Sequence, residues 1–166
     1  MGSDAAVRIT PFEPRYQQEA RCLVLEGLAQ RWGKLDNGLN RDLDSIAESY
    51  AGGHFLLALR GQQVIGTGAL LPESPGVMRI VRMSTHLPLR GRGIGTKVLA
   101  ELIRLARRQE CHQVVLETTA DWHDAVRFYL NRGFRFLGER NGDAHFVLDL
   151  DRVADVSPTA RRKKKP

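Results

Sequence analysis

Arg90-Gly91-Arg92-Gly93-Ile94-Gly95 leaves a strand-like run, Val77 to Thr85, and opens directly into a helix-like one. Three glycines at alternate positions strip the turn of side chains. Successive backbone N–H groups can then converge on one anion, with the positive end of the following helix behind them. That is the chemistry of a pyrophosphate cradle. Glycine spacing alone does not choose among nucleotide-binding turns. A P-loop requires Gly-Lys followed by Ser or Thr, whereas Gly95-Thr96-Lys97-Val98 has the order wrong. A dinucleotide fingerprint requires a third glycine where Val98 stands and an acidic residue about 20 residues further on. Glu117 falls near that distance, which weakens this alternative without removing it.

Downstream of the turn, Ile94, Val98, Leu99, Leu102, Ile103, Leu105 and Ala106 share one face while Lys97, Glu101, Arg104 and Arg107 share the other, predicting an amphipathic helix from Gly95 to about Gln109. Gln113 to Thr118 is a β-branched, apolar strand. Asp121 is expected to cap a helix starting near His123, and Gly133 to end it in the left-handed conformation with Phe134 packing back. Phe134 to Leu137 and Ala144 to Leu150 then form a hairpin around Asn141-Gly142. Upstream, His54 to Leu59 and Val64 to Leu71 form another hairpin, with Gly66 and Gly68 on one face for close packing, and Pro72 to Gly76 is a loop. Val7 to Thr10 is a first strand stopped by Pro11. The helix that follows, ending at Gly33, places Cys22, Leu25, Leu28, Ala29 and Trp32 on one face. Lys34 to Arg41 is a loop, and Leu43, Ile46, Ala47 and Tyr50 mark a short second helix. This order predicts an α/β (α+β) domain, a mixed sheet with helices on both faces.

At 166 residues the chain is the size of one domain, expected over residues 1–152, with a disordered basic tail at 153–166. It has 42% hydrophobic residues and no apolar run long enough to cross a bilayer, so no membrane partner is expected. Met1-Gly2-Ser3-Asp4 carries no secretory pattern, and Cys22 and Cys111 read as a buried, reduced pair; both point to a cytoplasmic protein. Neither the cysteines nor the five histidines show metal-ligand spacing, so no metal is expected. The net charge of +6 is concentrated in Arg161, Arg162, Lys163, Lys164 and Lys165, which leaves the body near neutral. Nucleic acid is therefore not an expected partner beyond a weak salt-sensitive contact through the tail.

Arg90-x-x-Gly93-x-Gly95 after a strand ending in Met83-Ser84-Thr85 resembles the acyl-CoA-binding motif of the GNAT superfamily of N-acetyltransferases. Ala125-Val126-Arg127-Phe128-Tyr129-Leu130-Asn131-Arg132-Gly133-Phe134 is similar to that family's second signature, a helix carrying Phe-Tyr and closed by Gly-Phe. The resemblance implies a mostly antiparallel seven-stranded sheet whose fourth and fifth strands splay apart to admit the pantetheine arm of acetyl-CoA, the acetyl donor. It implies that Arg90, Gly91, Arg92, Gly93, Ile94, Gly95 and Thr96 hold the pyrophosphate. Backbone groups of Met83, Ser84 and Thr85 would bond the pantetheine amides.

The same resemblance makes Tyr129 the acid that protonates the departing thiolate, since a phenol with a pKa of about 10 can donate that proton. An asparagine common in the family falls here at Trp122, so Asp121 or His123 is expected to replace its pantetheine contact, or Trp122 to stack on the cofactor. The family's strand-four glutamate falls at Arg79. Glu117 on the neighbouring strand is the candidate base, ahead of Glu73 and His86, although pairing with Arg79 or Arg82 as a structural ion pair explains it equally well. Trp32 and Asn40 are the expected acceptor contacts. The function implied is acetyl transfer from acetyl-CoA to a primary amine, on a small molecule or peptide, by direct attack in a ternary complex. The alternative is a non-catalytic acyl-CoA sensor or interaction module. Edge strands of this family often pair, so a homodimer is a further expectation.

Overall fold

Val77–Thr85, the run that feeds the glycine turn, is β4, the middle strand of a seven-stranded sheet ordered β1-β2-β3-β4-β5-β7-β6. The structure is a computed structural model and describes residues 6–150. The remaining strands are β1 (Val7–Pro11), β2 (His54–Arg60), β3 (Gln63–Ser74), β5 (Gln113–Thr119), β6 (Arg135–Arg140) and β7 (Asp143–Asp149). The helices are α1 (Gln17–Trp32), α2 (Ile46–Ser49), α3 (Ile94–Arg108) and α4 (His123–Leu130). All neighbouring strands are antiparallel except β4 and β5.

Strand periodicity divides the interior in two. Alternate residues of β2 point to opposite faces, so Phe55, Leu57 and Leu59 pack with Leu23, Val24, Leu43, Ile46 and Tyr50 on the α1/α2 face. Leu56 and Ala58 join Val98, Leu99, Leu102, Tyr129 and Phe146 on the α3/α4 face. The expected mixed sheet with helices on both faces is therefore what the chain forms. Helix α3 follows its predicted stripe, burying Ile94, Val98, Leu99, Leu102 and Ala106. It sits close to the sheet because Gly66 and Gly68 lie beneath it: a Cβ on Gly68 would stand 2.6 Å from Met83 Sδ and 2.6 Å from Val98 Cγ1.

The splay between β4 and β5 has a visible cause. Pairing is confined to Val77–Arg79 against Gln113–Val115, after which the strands part. Along the other edge of β4, Thr67 faces Ser84 but Ala69 faces Val81, so β4 carries an extra residue there. Arg82, at φ 57°, forms this bulge, which bends the strand away from its parallel neighbour. The fully buried Thr67 hydroxyl donates to the Arg82 carbonyl at 2.7 Å and holds the bulge. Thr67→Val removes that bond and leaves a buried carbonyl short of a donor. Urea unfolding is expected to show a loss of about 1–2 kcal/mol.

Several expectations are corrected. The buried stripe of α1 is Ala20, Leu23, Val24 and Gly27, so Cys22 and Trp32 face outward. The helix rests on its small residues: a Cβ on Gly27 would come within 2.9 Å of Ser84 Oγ. Cys22 is exposed, and only Cys111 is buried. The loop predicted from Pro72 is the end of β3, where Pro72 faces Met78 beside an irregularity that removes the need for a ladder N–H. Residues 37–43, predicted largely as loop, form 3-10 turns, and α2 is a single turn. Trp122, not Asp121, occupies the cap position of α4, without a side-chain capping bond. Gly133 at φ 88° and the buried Phe134 close α4 as expected, and Asn141 and Gly142, both at positive φ, make the final hairpin turn. The basic tail lies outside the described residues.

Candidate active site

The glycine turn presents bare backbone. Gly91 and Gly93 take φ values of 78° and 84°, and neither has a neighbour that a side chain would meet. Gly93 caps α3, and Lys97 N–H is the first to bond back, to the Gly93 carbonyl at 3.1 Å. The amides of Ile94, Gly95 and Thr96 are consequently the orphan donors of the first turn. Positive side chains surround them. Arg90 donates to Gln30 Oε1 at 3.1 Å, and burial, reinforced by the nearby Arg31, pushes its guanidinium below the usual arginine range. Arg132 donates to Thr96 Oγ1 and stacks over the Phe128 ring at 3.7 Å.

Between the diverging strands lies a cleft of about 920 Å³ that runs from this turn to Tyr129 and Glu117. Helices α1 and α4 meet across it. Arg31 grips Asp124 with two bonds of 2.9 and 2.7 Å and lies 4.5 Å from the centre of the Trp122 ring, while Trp32 packs on Trp122 at 5.2 Å. The Arg31 guanidinium holds the Asp124 carboxyl down at about 2.

Tyr129 lines the cleft yet is only 7% exposed, its ring wedged edge-on against Phe128 and Phe134 at 5.1 and 5.6 Å. Among the described residues no group hydrogen-bonds its hydroxyl. Burial pushes the phenol well above its ordinary pKa, and the pull of Arg31 and Arg132 in the other direction is smaller.

Charged pairs gather on the sheet face shared with α1 and α2. Glu117 accepts from Arg79 and lies 3.6 Å from Nδ1 of His145, its register partner on β7. Arg79 also forks onto Glu73 with two bonds of 2.8 Å. The Arg79 guanidinium holds the Glu73 carboxyl below the usual range, and the Glu73 contact in turn raises Arg79. Arg82 donates to both oxygens of Asp42 and to Asn40 Oδ1 at 3.1 Å, and Tyr50 donates to the same Asp42. Burial works to raise the Asp42 carboxyl, but Arg82 and Tyr50 outweigh it and keep it low. Burial and then Asp42 raise the Tyr50 phenol.

The structure brings Met83, Ser84, Thr85, Arg90, Gly91, Gly93, Ile94, Gly95, Thr96, Trp32, Glu117 and Tyr129 to one cleft. It does not bring Arg92, Asp121, His123 or Asn40 there. The first three are exposed beside it, and Asn40 is spent on Arg82. Trp122 lines the cleft instead of its two neighbours. Sequence reasoning missed Asp124, Arg132 and His145. For His145 the only signal was its place in the closing hairpin, two residues from Asp143 on the same face.

Among known proteins, the sequence profile of the acetyltransferase (GNAT) family matches residues 16–134. N-acetyltransferase 8F1 of Rattus norvegicus is 34% identical over 109 residues, covering 61% of this chain and 49% of that protein. N-acetyltransferase 8 of Mus musculus is 33% identical over 127 residues, covering 72% of this chain and 54% of that protein. The chain thus spans about half the length of these relatives. A GNAT-family acetyltransferase from Staphylococcus aureus superposes with a TM-score of 0.80 at 24% identity, over 87% of this chain and 99% of its own. The paia N-acetyltransferase of Thermoplasma acidophilum, solved with coenzyme A, superposes at 0.74 with 14% identity over 87% and 99%. With the profile match extending from the start of α1 to the end of α4, this chain belongs to the acetyltransferase (GNAT) family.

Proposed function

We propose that this domain transfers the acetyl group of acetyl-CoA to a primary amine by direct attack in a ternary complex. The observation that carries the reading is the presence, in one cleft, of a side-chain-free anion cradle and a buried phenol with an unspent hydroxyl. The residues suit the donor. Orphan amides of Ile94, Gly95 and Thr96, with Arg90 beside them, offer a diphosphate both hydrogen bonds and charge. Beyond Arg79, β4 has no partner on its β5 side among the described residues, and Met83, Ser84 and Thr85 line the gap, so their backbone is available to the amides of an extended arm.

Acetyl-CoA, when bound, supplies the acetyl group as a thioester. Tyr129 holds a proton that burial keeps in place at neutral pH and delivers it to the departing sulfur. Glu117 takes a proton from the incoming ammonium, and His145 at 3.6 Å is placed to share it. One C–N bond forms and one C–S bond breaks; the nitrogen releases its second proton as the amide forms, replacing through solvent the one Tyr129 gave to the sulfur, and Glu117 returns the first to solvent. Trp32 and Trp122 are the proposed apolar cover of the cleft.

Isothermal calorimetry tests the cradle. The wild-type chain is expected to bind CoA, and Arg90→Ala to weaken that binding by about tenfold, the value of one charge-assisted hydrogen bond. Thiol release with acetyl-CoA and an amine panel tests the transfer. No affinity for CoA overturns the reading.

A further inference from the structure

The cleft's cations are unequally committed. Arg90 and Arg132, at the glycine turn, bond only neutral groups among the described residues. On the α1/α2 face of the sheet the arginines are saturated. Arg82 lines the cleft, but its fork is closed on Asp42 at 2.9 and 2.5 Å and its remaining donor on Asn40. Arg79 is divided between Glu73 and Glu117. The lining of the cleft on this face sets Asp42, Glu117 and Asp143 against Arg82, with Arg31 and Asp124 neutralising each other beside them. Asp143 lines the cleft without a cationic partner among the described residues. That this region receives a ligand is marked separately by the buried Tyr129, whose hydroxyl has no hydrogen-bond partner among the described residues of the same cleft.

We infer that the acetyl acceptor is a cationic amine with no carboxylate on the amine-bearing carbon: an alkylamine, arylalkylamine or polyamine, and not an α-amino acid. The inference rests on the acetyl-transfer reading of the cleft. An ammonium approaching Glu117 and Asp143 meets opposite charge. An α-carboxylate carried on the same carbon meets like charge there, and among the described residues the uncommitted guanidiniums, Arg90 and Arg132, stand at the glycine turn instead. Releasing Arg82 to receive it would strand Asp42, partly buried and without its counter-ion.

The test compares kcat/KM for tyramine with tyrosine, tryptamine with tryptophan, and histamine with histidine, using the full chain and acetyl-CoA. Each amine is expected to exceed its amino acid by at least about tenfold, a modest like-charge penalty. L-Tyrosine methyl ester, which has the bulk without the charge, is expected to side with tyramine. Asp42→Asn, which frees the Arg82 fork, should raise the amino acid's kcat/KM relative to the amine. Asp143→Asn should weaken the amine through KM, and its partly exposed position spares the fold. Ratios near one, preference for the amino acids, or no change of the ratio in both variants overturns the inference while leaving acetyl transfer standing. CoA binding with no turnover of any amine removes the transfer reading, and the inference with it.

Discussion

Tyr129→Phe should lower kcat by about 10²–10³-fold, the usual contribution of a positioned proton donor, while leaving CoA affinity unchanged. The ring is held by Phe128, Phe134 and Phe146, and phenylalanine fills the same space. Because no group among the described residues bonds the hydroxyl, its loss strands no partner there and the melting temperature should hardly move. A purely structural tyrosine would show the opposite pattern, with little kinetic change. The pH profile supplies an independent check. Burial raises the phenol above its ordinary pKa. The protonated, donating form therefore persists through the ordinary value of about 10, and wild-type kcat should show no descending limb from this group below that pH. A limb near neutrality that disappears in Tyr129→Phe would contradict this role.

Gly68→Val is expected to cost about 3 kcal/mol or more in urea unfolding. A first carbon at this position already stands 2.6 Å from Met83 Sδ and Val98 Cγ1 and 3.0 Å from Leu102 Cδ1. Met83 can bend aside. Val98 and Leu102, fully buried on α3, can yield only if the helix lifts from the sheet. Lifting α3 moves the amides at its first turn, so CoA binding should weaken in the same variant. Gly52→Ala is the control. It meets nothing within 4 Å and should change stability by less than about 0.5 kcal/mol.

What was legible in the sequence was whatever local pattern decides. The glycine turn, the two-sided α3 and the Gly133-Phe134 stop each depend on a handful of adjacent residues, and each appears where expected. The face of α1 was misread because its buried stripe is built on Ala20 and Gly27, whose burial reflects how closely another strand approaches, not their own hydropathy. The charged pairs were hidden for a related reason. Arg82 meets Asp42 across 40 positions of sequence, and His145 reaches Glu117 only through the β5–β7 register. Asp121 looked like a helix cap by type, yet Trp122 takes the cap position of α4, its ring held by Arg31 and Trp32 from α1.

The brief β4–β5 pairing makes the sheet two wings joined at a narrow hinge. Among the described residues, only Val77–Arg79 pair the first four strands with the last three along the backbone. The opening between the wings therefore lies toward Thr85 and Thr119 and closes beside Ile80 and Leu116, and the Arg31–Asp124 ion pair that bridges α1 and α4 across it, with its carboxylate open to solvent, weakens as ionic strength rises.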